Sequence, residues 1–316
     1  MEVSSTLALF WALSAANPLI NKRANKIVQN DAPWGLRVIS HRTPQKFPSI
    51  NVFRNSKYYY DGKAGQDTVA FDIDSGILVT HKDFEGRAEN LWTDFKTQMA
   101  KTTLKTRTAM AHTVKVIDQR KSSFARIVTG FHAAVKHAVK NNLQQMSVIN
   151  ISIAGKPSMH SLQVAIDRSF NMPNGGLVTV VAAGNTYDDA SKTDPASSRE
   201  AITVGSIDKS WKISFFSNWG PSVQILAPGS EIPSLSPKSD TAATIMSGTS
   251  MAAPHVAGVV LNAMSVFGQN SQSVRSFLEQ TSTKDMVTGD LHGSPNRVVN
   301  NNNDRQKSCK SEDKIC

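Results

Sequence analysis

The stretch SGTSMAAPHVAG, residues 247–258, sets a serine among glycine and small residues where an apolar run at helical spacing begins. A hydroxyl at the mouth of a helix has two uses. As a cap, Ser250 accepts from a backbone N–H of the first turn. As a nucleophile, it attacks an electrophilic carbon while its own N–H helps to hold the oxyanion that forms. Pro254 is expected within the first turn, where proline is tolerated. Position alone favours the cap, so chemistry requires further groups. Asp74 closes the run FDIDSG, and a carboxylate there serves a turn or orients a histidine. Asn185 closes VAAGN, where an amide ends a strand or donates to a developing negative oxygen. Losing one such donor costs about 2.7–4 kcal/mol of transition-state stabilisation.

These residues need a frame, and the chain supplies a regular one from about residue 67. DTVAFDI, HTVKVI (112–117), MSVINISI (146–153), GLVTVVAAGN (176–185) and AITVGSI (201–207) read as buried strands. SFARIVTGFHAAVKHAVKN (123–141), LQVAIDRSF and 250–265 read as helices. Strands alternating with helices imply an α/β fold of three layers, a mostly parallel sheet with helices on both faces. In such folds ligands bind at the carboxyl ends of the strands, where both Asp74 and Asn185 fall.

At 316 residues, 40% hydrophobic and 19% charged, the chain has the composition of a globular protein with an ample core. Its net charge of +10 comes from scattered Lys and Arg without interleaved aromatics, which argues for a basic surface and against a nucleic-acid site. The two cysteines, Cys309 and Cys316, form neither a metal-ligand pattern nor a disulfide framework. TLALFWALSAA (6–16) is too short to span a bilayer. It reads as a secretion signal with a small-residue exit, or as a buried helix fragment, since no positive charge precedes it. No partner in a membrane is expected, and a monomer is. NRVVNNNNDRQKSCKSEDKIC (296–316) reads as a polar, loose tail.

The ordered series QNDAPWGL (29–36), FDIDSGI, HKDFEGRA (81–88), VKVID, VVAAGN, SFFSNWGP, ILAPGSEI and SGTSMAAPHVAGV resembles the subtilisin-like serine peptidases, in particular the secreted fungal, proteinase K-like branch. The resemblance covers roughly residues 27–300 and implies a subtilisin-like fold and a serine endopeptidase acting on polypeptides. It implies Ser250 as nucleophile, Asp74 as the acid and Asn185 as the oxyanion donor. Ser152, Ile153 and Ala154, in NISIAG, would pair with the substrate backbone, and Ala154 replaces a glycine usual in the family. His81 and His255 match scaffold positions. No cofactor is implied. Where the proteinase K-like branch has an aspartate for calcium, this chain has Gln224, so no metal is assigned. The resemblance divides the chain into a signal-like segment with a prosegment remnant (1–26), a peptidase domain (27–297, disrupted at about 94–113) and a polar tail (298–316). It points to an extracellular protein, with a vacuolar one as the alternative.

One element of the family is missing. Its members carry His-Gly-Thr-His between the DFEGRA stretch and the VKV strand, whereas this chain has ENLWTDFKTQMAKTTLKTRTAMAHTVKVID. His112 is the only histidine there, at a position leading into the strand, and it is not expected to reach Ser250. Read from each codon's third base, TAMAHT (108–113) can encode Gly-His-Gly-Thr-His. Residues from about Gln98 to Thr113 are therefore read as an out-of-frame translation across a misassigned exon boundary. The alternative is an inactive relative that keeps the scaffold as a binding protein or decoy.

Overall fold

The computed structural model describes residues 26–44, 56–95, 109–118, 121–155, 160–173 and 175–303. The signal-like run 6–16, the two cysteines and the part before Ala109 of the segment expected to be out of frame lie outside them. In chain order the elements are β1 (Lys26–Gln29), α1 (Trp34–Ser40), β2 (Tyr58–Asp61), β3 (Val69–Asp74), β4 (Ala88–Thr93), β5 (Met110–Lys115), α2 (Phe124–Lys140) and β6 (Ser147–Ile151). Then follow α3 (His160–Phe170), β7 (Val178–Ala182), β8 (Ile202–Ile207), β9 (Ile225–Pro228), β10 (Ile232–Leu235), β11 (Ala243–Met246), α4 (Thr249–Phe267), α5 (Val274–Thr281), β12 (Thr283–Lys284) and β13 (Arg297–Val298).

Nine strands form one sheet in the order β12-β13-β9-β8-β7-β6-β3-β5-β4, parallel except where β12 meets β13. The three-layer reading holds. β3 is entirely buried, as are β6, β7 and β8, which is why they read as continuous apolar runs rather than alternating ones. The sheet has a core on each face. Ala70, Val148, Val180 and Val204 pack on one side against Ala252, Ala253, Val256 and Val260 of α4. Phe71, Ile73, Ile149 and Val181 pack on the other, against Ile127, Phe131 and Ala134 of α2 and Leu162 and Ile166 of α3.

Alternation along a strand thus assigns each side chain to a face. In β3, Asp72 and Asp74 fall on the α4 side and Phe71 and Ile73 on the α2 side. α2 starts at Ser123, whose hydroxyl accepts from Arg126 N–H. It approaches closely at Gly130, where a Cβ would lie 2.4 Å from Val116 Cγ1. α4 is the axis of the molecule, buried from Thr249 to Met264. It is long and apolar enough to cross a membrane by composition, yet 83% of that stretch is buried inside the fold.

The polar tail begins later than the expected boundary at 298. β13 pairs with β9 through Val298 and Leu226, and Val299 and Asn300 are fully buried. Asn300 donates from Nδ2 to His41 O, Asn301 N–H to Ile39 O, Asn301 Nδ2 to Tyr59 O and Asn303 Nδ2 to Ser40 O. Asparagine amides here satisfy backbone carbonyls at the end of α1 and in β2, so a polar composition belongs to packed chain through Asn303.

Candidate active site

The sheet and α4 bring Ser250, Asn185, Asp74 and Ser152 to one end and one face. β3 and β6 are neighbours. Asp74 ends β3 and accepts from Ser75 N–H; Ser152 follows the last residue of β6. Asn185 lies beyond β7, and Ser250 is the second residue of α4.

Asn185 is held in one orientation. Its Oδ1 accepts from Thr249 N–H at 2.8 Å and from Thr249 Oγ1 at 2.9 Å, while Thr249 Oγ1 accepts from Gly184 N–H at 3.1 Å. The carbonyl end being taken, the exposed Nδ2 is the end that can donate. A Cβ on Gly248 would sit 3.3 Å from Asn185 Nδ2 and 3.7 Å from Ser250 N. Two donors therefore border one small space that the glycine leaves open, as an oxyanion site requires. Thr249 went unnoticed in the sequence, because its role rests on a contact 64 residues away.

Pro254 does not fall in the first turn. The helix starts at Thr249, so Pro254 sits where its N–H would have bonded Ser250 O, and proline has none. That orphaned carbonyl accepts from Ser152 Oγ at 3.1 Å. In return Ser250 Oγ donates to Ser152 O at 2.9 Å. The nucleophile's proton thus rests on a backbone carbonyl, which cannot act as a base. Ile153 is buried and Ala154 half-buried. Gly155 and Asp194 exchange N–H···O bonds, both 2.9 Å, which fixes the end of that segment.

Among the described residues, which include all eight histidines, no histidine bonds Ser250; its hydroxyl is taken by Ser152 O. His112 pairs in register with Phe71, on the α2 face of the sheet and opposite to Ser250. Its Nδ1 meets Glu89 Oε1 at 2.7 Å, and its ring lies 5.0 Å from that of His137. Bonding to His112 holds the Glu89 carboxyl below its usual range, and burial lowers His137. His81 caps a short turn and contacts Ala242 O at 3.1 Å. His255 contacts Met251 O through Nδ1 at 2.8 Å, and its Nε2 would be 2.6 Å from a Cβ on Gly35. Burial lowers His255 to about 4, so it is a neutral packing group.

Gln224 does not fit a cation. Its Oε1 accepts from Thr203 N–H, and a neutral amide already engaged offers no charge to calcium. No group of three or more His, Cys, Asp or Glu side chains with metal-binding geometry occurs among the described residues.

Residues 107–304 match the Subtilase family over more than half of the chain. The chain is a subtilase. It is 35% identical to alkaline protease 1 of Aspergillus oryzae over 291 residues, 87% of this chain and 69% of that protein. It is 34% identical to proteinase T of Parengyodontium album over 290 residues, 86% and 94% of the two chains. The solved structure of a cold-adapted subtilisin-like serine proteinase superposes with a TM-score of 0.70 at 26% identity, covering 87% of this chain and all of that one. By family it is a subtilisin-like serine protease, and in this subtilase Ser250 and Asn185 stand together with no histidine bonded to Ser250.

Proposed function

We propose that the site is that of a serine endopeptidase whose general base is absent from the chain as written. Ser250 attacks the peptide carbonyl, Asn185 Nδ2 and Ser250 N–H hold the oxyanion, and an acyl-enzyme forms as the amine leaves. A histidine between Asp74 and Ser250 would take the serine proton and pass it to the leaving nitrogen, its tautomer fixed by Asp74. Residues 152–154 bind the substrate chain. Gln224 holds no calcium, and the enzyme works as an extracellular monomer on polypeptides.

One observation carries this reading: Ser250 and Asn185 are built for acyl transfer, yet the Ser250 proton sits on Ser152 O while His112 faces the other side of the sheet. It favours the out-of-frame origin of about Gln98–Thr113 for the gene, and an inert peptide-binding scaffold for the printed chain. The test is a fluorophosphonate probe on two proteins, the printed chain and one carrying the segment encoded by the sequenced transcript. Labelling at Ser250 in the second alone supports the reading. A transcript identical to the printed residues removes the peptidase and leaves the binding protein.

A further inference from the structure

Three buried oxygens lie on one face of adjacent strands, each without a hydrogen-bond partner. Thr113 of β5, Asp72 of β3 and Asn150 of β6 are register partners. All are at most 1% exposed, and the orphaned atoms are Thr113 Oγ1, Asp72 Oδ2 and Asn150 Oδ1. Native proteins rarely leave such a row unpaired.

Counting donors explains two of them. With Asp72 ionised, Asp72 Oδ2 and Asn150 Oδ1 are both acceptors and neither has a donor. The neutral acid puts a proton on Oδ2, beside the amide whose Nδ2 already bonds Oδ1, and so supplies the donor that Asn150 Oδ1 lacks. Among the described residues no cation on this face offsets the charge either. On this face β5 brings Lys115, one row along, whose Nζ pairs with Asp118 at 3.0 Å. β3 itself adds Asp74, a like charge. β6 has no titratable residue, and the only one on α4, His255, is neutral and packed on Gly35.

The row also leads to the nucleophile. Asn150 Nδ2 donates to Asp72 Oδ1 at 2.8 Å and to Ser152 Oγ at 3.0 Å. Ser152 Oγ in turn donates to the Ser250 carbonyl that Pro254 leaves open. We infer that Asp72 is folded as a neutral carboxylic acid and is a positioning residue for Ser250, acting through Asn150 and Ser152. Burial raises the Asp72 carboxyl to about 7, in keeping with the donor count. The positioning role rests on Ser250 being the nucleophile; the protonation state does not.

The experiment uses the full chain and the variants Asp72→Asn and Asp72→Val. Infrared difference spectra of the wild type against Asp72→Asn, in mildly acidic buffer, should show the C=O stretch of a protonated carboxylic acid that vanishes in alkaline buffer. Absence of that band overturns the neutral acid. Hydrogen exchange at the start of α4 should rise about tenfold in Asp72→Val, the effect of one lost hydrogen bond, and return to the wild-type rate in Asp72→Asn. Unchanged exchange in Asp72→Val overturns the positioning role. Should Asp72→Val not fold, Asp72→Asn against wild type decides: its amide NH2 replaces the acid's donor, so exchange must stay at the wild-type rate. If both results hold while the transcript-encoded protein fails to label, the peptidase reading fails and the role of Asp72 stands.

Discussion

The two flanks of β3 tell different stories. Toward β6, β7 and α4 the groups around Ser250 have specific partners: Asn185 Oδ1 is bonded by Thr249, Ser250 by Ser152, and the loop after Asn185 by Asn218. Toward β5 and β4 the strands also pair in parallel, with a register shift between Asn90 and Trp92 of β4, but their only histidine points into the α2 core. Sheet formation asks for extended, apolar, β-tolerant sequence, and MAHTVK meets that demand. Catalysis asks for one imidazole at one position, and it does not. The residues of β5 therefore complete the sheet without bringing a histidine to the Ser250 face.

The contrast breaks most visibly if the histidine segment is restored. Fluorophosphonate labelling of Ser250 should accelerate at least about 10³-fold over the printed chain, in line with what a triad base contributes. Comparable labelling of the two proteins would mean that the printed chain already has a base. Within the restored protein, Asn185→Ala should lower kcat by about 10²–10³-fold with little change in KM, because the donor acts on the transition state. Gly248→Ala should mimic it, its methyl filling the space between Asn185 Nδ2 and Ser250 N. An unaffected Gly248→Ala would place the oxyanion elsewhere.

Stability against pH sharpens the same comparison. His41 and His255 are lowered by burial to about 4, below the usual 6.5. The unfolded chain therefore binds their protons first, and stability is lost as pH falls from 6.5 toward 4. Asp72 has the opposite sign. Its folded carboxyl keeps its proton to about 7 against 3.8 when unfolded, so its contribution is lost as pH rises through that window. Urea midpoints of wild type and Asp72→Asn should diverge between pH 4 and 7, the variant gaining, and run parallel above; parallel curves throughout would refute it. The smallest effect belongs to His112→Ala, which should leave labelling of Ser250 in the printed chain unchanged. It should cost about 1 kcal/mol of stability, the contact of a buried imidazole with Glu89 and some packing. Any change in labelling would put His112 back in the site.

Long apolar runs made β3, β6, β7, β8, α2 and α4 readable in the sequence, and the residues around Ser250, Asn185 and Asp74 stood out by their motifs. α1, α5, β4 and the β10–β11 hairpin did not, being short elements whose pattern depends on what they pack against. Thr249, Asp72 and the bond between Ser152 and Ser250 escaped for a related reason: their meaning lies in partners 64 to 98 residues away or in a neighbouring strand. The asparagines at 300–303 misled outright, because polar side chains that bind buried carbonyls look in one dimension like solvated tail.

Those asparagines also set a schedule. They fasten residues near 300 to carbonyls at Ile39, Ser40, His41 and Tyr59, some 240 to 260 positions earlier. Synthesis delivers the chain from one end, and α1 must wait for nearly all of it before its last turn is tied down. Contacts of such sequence separation slow folding because the loop between them must close first. During translation the opening segment is thus an unlatched door, and a ribosome-bound chain stalled before Asn300 should be cut by added protease near α1 while the released protein resists.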